Sequence, residues 1–326
     1  MTAWRSALAL CVACVLLGPP AYGADGSVPG RRLFTFADDD VFESSGLLDR
    51  GDVVYTTNDS GDDAVVYGVD PATGRTVSRT RYADSVDDVE ALAPGAGGTV
   101  WAADIGDNRH DREGVTVYRM RPRDGDHQGR RYTLTYPDGP HDAETLLVHP
   151  RTRRMFVVSK SPFGGTVYVA PRTLAEGPPN RLRAFARVDG LVTDSSFFPD
   201  GRHVVLRTYG RASVYAFPAF ELLGTVRLPA QPQGEGVAVA PEGRVTLSTE
   251  GVHTDVLEVT LPASLTARTG PAGKPEAAPS GRPSDAAAPA RDPRDARDWA
   301  GIALVAAVIA GFGYLSVRGS RVRGPR

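Results

Sequence analysis

The stretch from residue 31 to residue 262 predicts an all-β fold built of repeated units. Three observations predict it: an apolar strand introduced by acidic or small polar residues recurs five times, the copies keep a regular interval, and helical apolar spacing is absent between them. The recurring segments are Glu43-Ser44-Ser45-Gly46-Leu47, Asp88-Val89-Glu90-Ala91-Leu92, Asp142-Ala143-Glu144-Thr145-Leu146, Asp194-Ser195-Ser196-Phe197 and Gly234-Glu235-Gly236-Val237. With the last residue of each as marker, successive copies lie 45, 54, 51 and 40 residues apart, an interval that suits one propeller blade each.

Each marker is followed by a second β-like run: Val53 to Thr57, Val100 to Ala103, Met155 to Val158, Val204 to Arg207 and Val245 to Ser248. A third follows as Ala64 to Val69, Val115 to Met120, Thr166 to Ala170, Ser213 to Phe217 and Asp255 to Thr260. These β-branched and aromatic runs are separated by Gly, Asp, Asn and Pro, so they read as strands joined by tight turns. Fourth strands appear as Thr76 to Tyr82, Arg131 to Tyr136, Leu182 to Val188 and Leu223 to Leu228. The fifth copy lacks one, and a lone strand, Arg32 to Phe36, precedes the first marker. The expectation is therefore a five-bladed β-propeller of four-stranded blades, closed by the N-terminal strand, with an irregular β-sandwich and a six-bladed ring as alternatives. Leu47, Tyr55, Leu92, Trp101, Leu146, Phe156, Phe197, Leu206, Val237 and Leu247 are the expected core.

The two ends carry signals of a different kind. Arg5, the apolar run Leu8 to Leu17 and the small-residue stretch Gly18 to Ala24 read as a signal peptide over 1–24, cleaved after Gly23 or Ala24. Cleavage there removes Cys11 and Cys14, the two cysteines of the chain, and with them any disulfide. Residues 263–298, punctuated by Pro271, Pro275, Pro279, Pro283, Pro289 and Pro293, read as a disordered Pro/Ala-rich stalk. Residues 299–317 carry no formal charge and, as a helix, rise about 28 Å, enough to span a bilayer. The basic tail 318–326, with Arg318, Arg321, Arg323 and Arg326, then reads as cytoplasmic. The expected localisation is the cell membrane, single-pass, with the propeller extracellular and facing an extracellular ligand or protein. A net charge of −2 argues against a nucleic-acid partner, because phosphate neutralisation needs a basic excess.

Polar residues cluster after the second strand of each unit, where the loops of a propeller share one end. Asn58-Asp59-Ser60-Gly61-Asp62 and Asp104-Ile105-Gly106-Asp107-Asn108 offer carboxylate, amide and turn carbonyl oxygens to a hard cation, with Ca2+ as the candidate, or else form ordinary Asx turns. The inner-strand acids Asp88, Glu90, Glu144 and Glu235 start near the axis, where clustered carboxylates require a cation, a proton or a basic partner. The candidate metal set is thus Asp59, Asp88, Glu90, Asp104, Asp107, Asn108, Glu144 and Glu235. Lys160 and Arg207 are candidate anion-binding groups or, alternatively, locks between blades, and Asn58, Tyr209 and Glu250 complete the expected polar ring. Zinc-helix, nucleophile-elbow and phosphate-loop motifs are absent, and His110, His141, His149, His203 and His253 lack metal-helix spacing.

The segments Glu43 to Leu47, Asn58 to Asp62, Asp104 to Asn108, Arg207-Thr208-Tyr209 and Gly234-Glu235-Gly236 together resemble secreted bacterial β-propeller proteins, similar to tryptophan-aspartate-repeat and phytase-like esterase propellers. The resemblance implies the propeller fold and a calcium-dependent phosphoesterase as one activity, although the chain lacks a dense set of basic phosphate ligands. Three functions follow as expectations: a cell-surface binding or interaction module stabilised by a divalent metal, a metal-dependent hydrolase of an anionic ester, or a structural envelope protein.

Overall fold

In the computed structural model, residues 21–22, 26–59 and 63–266 are described. Strands β1 (Ala21–Tyr22) and β2 (Gly30–Thr35) precede the first repeat, which supplies β3 (Ser44–Asp49), β4 (Val54–Asn58), β5 (Val65–Val69) and β6 (Thr76–Arg81). The second repeat forms β7 (Val89–Pro94), β8 (Val100–Asp104), β9 (Val115–Met120), the short β10 (Gly125–Asp126) and β11 (Arg130–Thr135). The third forms β12 (Ala143–Val148), β13 (Met155–Ser159), β14 (Gly165–Val169), the short β15 (Asn180–Arg181) and β16 (Arg183–Val188). The fourth gives β17 (Asp194–Phe197), β18 (His203–Thr208), β19 (Arg211–Ala216) and β20 (Glu221–Arg227), and the fifth β21 (Gly234–Val239), β22 (Val245–Thr249) and β23 (Asp255–Val259).

Apart from the two-residue strands β10 and β15, the strands of each sheet run antiparallel from the inside outward, as hairpins with tight turns require. The fifth sheet takes its outer strands from the other end of the described chain: β2 pairs antiparallel with β23, Gly30 opposite Val259 and Thr35 opposite Asp255, and β1 pairs with β2. The inner strands touch in succession, β3 on β7, β7 on β12, β12 on β17, β17 on β21 and β21 on β3, so they surround one axis.

Burial explains the residue usage. Strands β3, β5, β8, β13 and β22 are buried at every position because sheets stack on both faces, and β5 and β13 read as near-continuous apolar runs. The outer strands β6 and β20 face solvent on one side and alternate in burial, which weakens their apolar signal. Five apolar clusters lie between successive sheets. One joins Phe34, Phe36 and Val256 of the fifth sheet to Leu47, Val54 and Val69 of the first, and another joins Val205 and Val214 of the fourth to Val237 and Leu257 of the fifth. Of the ten expected core residues all are buried except Tyr55, which is half-buried beside Leu48 and Leu92.

The structure corrects the expected fold class in three respects. Three of the five sheets have five strands, not four: β10 adds parallel to β6, β15 adds parallel to β11, and β1 extends the fifth sheet. The sheets remain separate, with no strand ladder joining one to the next, so β2 completes the fifth sheet without closing the blades into a continuous one. No helix among the described residues is long and apolar enough to cross a membrane, and the one described α-helix, Ala263–Thr266, has four residues.

The transmembrane helix expected at 299–317 lies outside the described residues, and the single-pass anchor and membrane localisation built on it are withdrawn. The secreted, signal-bearing reading is withdrawn as well. Ala21 and Tyr22, inside the segment expected to leave with a signal peptide, pair with Arg31 and Gly30 in the fifth sheet.

Candidate metal centre

The residue two positions before each marker is Ser45, Glu90, Glu144, Ser195 or Glu235, all at the start of an inner strand. At four of these starts the register against the second strand shifts, between Ser44 and Leu47, Val89 and Ala91, Ala143 and Thr145, and Gly234 and Val237. A β-bulge turns a side chain out of the regular alternation, and here the three glutamates sit within the shifted segments. In the fourth blade the register is unbroken: Asp194 lies opposite Arg207.

Asp59, Asp88 and Glu90 each offer a carboxylate oxygen, and the three atoms lie within 4.8 Å of one another. Glu90 is buried, and Ser45 Oγ donates to its backbone oxygen at 3.0 Å and to Oε2 at 3.2 Å. Gly106 makes the approach sterically feasible: a Cβ there would stand 2.5 Å from Asp88 Cγ and 2.7 Å from Glu90 Oε1. Burial, then the neighbouring Asp59 and Asp142, push Asp88 up to about 7. Glu90 is driven well above the usual carboxylate range by burial and by Glu144, Asp59 and Asp88.

Glu144 and Lys160 form a partly buried ion pair beside this group. Burial pushes Glu144 up to about 8 against the pull of Lys160. Burial opposes the Lys160 charge, but Glu144, Tyr209 and Glu90 outweigh it and hold the ammonium protonated above its ordinary range. Glu235 is raised by burial and then by Glu144, and Glu250 rises to about 7 through burial, Asp59 and Glu43. Tyr209 is raised by burial and by Glu235. Residues from all five repeats therefore share one electrostatic network.

The other expected ligands are engaged in the frame. Asn58 Oδ1 accepts from Phe42 N and Glu43 N, both at 3.1 Å, and its Nδ2 donates to Asp40 O at 2.7 Å, so it caps a turn. Asp104 accepts from Asp88 N at 3.0 Å and pairs with Arg112 Nη1 at 2.8 Å, which positions the loop carrying Asp88. Asp107 accepts from Asp111 N and Arg112 N at 3.0 and 3.1 Å. Asn108 is exposed, its Nδ2 3.5 Å from Asp88 Oδ2.

Arg207 is fully buried, its guanidinium donating to Gly236 O at 2.6 Å, Ser248 O at 2.7 Å and Gln231 Oε1 at 2.7 Å. It locks the fourth blade to the fifth and presents no fork to an anion. Burial lowers it to about 10 against Glu235 and Asp194.

Gly106 and Asp194 were not among the candidates. Asp194 accepts from Val237 N at 2.8 Å and Ser195 N at 2.7 Å, and burial raises it well above the usual range. Its signal was the serine that replaces glutamate in the fourth copy, with an acid one position earlier.

The chain matches no family model and no curated protein. Solved structures resemble it at low identity. A gluconolactonase from Xanthomonas campestris is 14% identical with a TM-score of 0.43, covering 76% of this chain and 96% of its own. A luciferin-regenerating enzyme is 13% identical with a TM-score of 0.41, covering 74% and 95%. The β-propeller domain of Myceliophteria thermophila Swd1 is 13% identical with a TM-score of 0.39, covering 66% and 64%. These likenesses concern the fold alone.

Proposed function

We propose that the chain is a metal-dependent hydrolase of an anionic ester, with Asp59, Asp88 and Glu90 holding the cation. The observation that carries this reading is the convergence of those three carboxylates within 4.8 Å, from two different blades. Bringing them together around the buried Glu90 is costly unless positive charge enters, and the raised proton affinities of Asp88 and Glu90 accord with that cost. The donors are all oxygen, which favours a hard cation, and Ca2+ at about 2.3–2.6 Å is our assignment.

When bound, such a cation polarises a carbonyl or phosphoryl oxygen and acidifies a coordinated water. Lys160, held charged by Glu144, is the group we assign to neutralise charge developing on an ester oxygen. Glu250, poised near neutral pH, is the group we assign to accept a proton from water. Gly106 keeps the carboxylates close, and Asp104 fixes the loop that carries Asp88.

The test uses the full chain, stripped with chelator, titrated with Ca2+, Mg2+ and Mn2+, and assayed against phosphate monoesters, phosphodiesters and lactones. Expected is cation-dependent turnover of one ester class, reduced at least about 100-fold in Glu90→Gln and Asp88→Asn. Cation binding without any turnover would assign the cluster to a metal-stabilised binding module, a reading favoured by the three glutamates that reach the axis from separate blades. Absence of cation binding at millimolar concentration would end both.

A further inference from the structure

At the ends of the inner strands opposite the acids, all five blades line a half-open cavity of about 380 Å³, within the roughly 300–1,000 Å³ typical of small-ligand sites. Leu47, Leu92, Leu146, Phe197 and Val239 form its walls. Pro94, Pro150, Pro199 and Pro241 stand around its rim and contribute no N–H donors. The polar groups of the lining are mostly spent. Asp49 pairs with Arg244 at 3.0 Å, Ser196 Oγ accepts from Val239 N at 3.1 Å, and Ser195 Oγ bonds Thr145 Oγ1.

Arg50 and Arg153 are the cations of the rim, and among the described residues neither has a carboxylate within ion-pair distance. Arg50 Nη2 donates to Thr99 O at 2.5 Å, which fixes the side chain against the second blade and leaves its buried Nε without a partner. Burial holds Arg50 below its usual range against the opposing pull of Tyr55 and Asp52, and the nearby Arg153 adds to the lowering. Arg153 itself sits at φ 59°, a left-handed conformation that glycine adopts at no steric cost and arginine does not. Two arginines, one on strained backbone, thus line an apolar well.

We propose that this cavity binds an apolar monocarboxylate, its hydrocarbon body in the well and its carboxylate shared by Arg50 and Arg153. Paired guanidiniums match the two oxygens of a carboxylate, and the proline and aliphatic rim disfavours a more highly charged head. The site is independent of the metal centre and of the hydrolase reading.

Calorimetric titration of the full chain with decanoate, decanol and inorganic phosphate tests it. Saturable one-site binding of decanoate is expected, with decanol at least about tenfold weaker and phosphate neither binding nor competing. Arg153→Gly is expected to hold or raise the melting temperature while weakening decanoate at least about tenfold, since it relieves the backbone and removes a cation together. Val239→Trp, which fills the well, should abolish binding in a protein whose circular dichroism is unchanged. The proposal is overturned by no saturable decanoate binding, by equal affinity for decanol, by competition from phosphate, or by undiminished affinity in Arg153→Gly.

Discussion

Glu90 sits where burial, three neighbouring acids and one serine hydroxyl meet, so its charge governs the centre. Glu90→Gln keeps the shape and removes the charge. We expect a higher melting temperature in chelator, because repulsion is relieved, together with weaker divalent binding by calorimetry. A purely structural glutamate would show neither effect. Gly106→Ala intrudes on the carboxylates of Asp88 and Glu90 and should cost about 1–3 kcal/mol in urea unfolding while also abolishing cation affinity. The same groups set a pH dependence. Asp88 and Glu250 are raised to about 7 and Glu144 to about 8, so the folded, cation-free protein binds more protons than the unfolded chain above the ordinary carboxylate range. Their contribution to stability is full below that range and is lost as pH rises through about 7 to 8. Melting temperature in chelator should therefore fall as pH rises from the ordinary carboxylate range to about 7 to 8, and a saturating divalent cation should flatten the fall.

Among the elements, the bulges at the inner-strand starts explain how an acidic residue enters a strand that is otherwise buried and apolar. The glutamates were legible in the repeat alignment, since Glu90, Glu144 and Glu235 stand at one position relative to Leu92, Leu146 and Val237. The register shifts that aim them were not, because a bulge leaves no apolar signature. The short strands β10 and β15 were likewise invisible: two residues inside a loop carry no periodicity, yet they cover the outer edges of β6 and β11. Asn58 and Asp107 read equally as ligands or turn caps, and only the backbone N–H groups pointing at them decide for caps. Thr80 holds the β10 segment, donating to Arg123 O at 2.7 Å and accepting from Arg123 N at 2.9 Å. Thr80→Val should lower unfolding free energy by about 1–3 kcal/mol and speed hydrogen exchange at Gly125 and Asp126.

For the whole molecule, what holds the blades in a circle is side-chain packing between sheets, supplemented by buried polar locks. Arg207 is the largest of these, bridging the fourth blade to Gly236 and Ser248 of the fifth. Arg207→Met would strand those carbonyls and the buried Asp194 and Glu235, at an expected cost of about 3–5 kcal/mol by denaturant titration. Blade number and strand order were readable because each copy carries its own turn residues and β-branched runs. What lay beyond reading was the pairing of Ala21-Tyr22 with Gly30 and Arg31 in the fifth sheet, because two residues carry no period. That fifth sheet also brings distant positions side by side, with Thr260 N donating to Pro29 O at 3.0 Å. Covalent order and spatial order are consequently separable here. A circular permutant that links Thr260 to Pro29 and opens between Asp189 and Gly190 should refold to the same ring, with its start relocated from one blade to another.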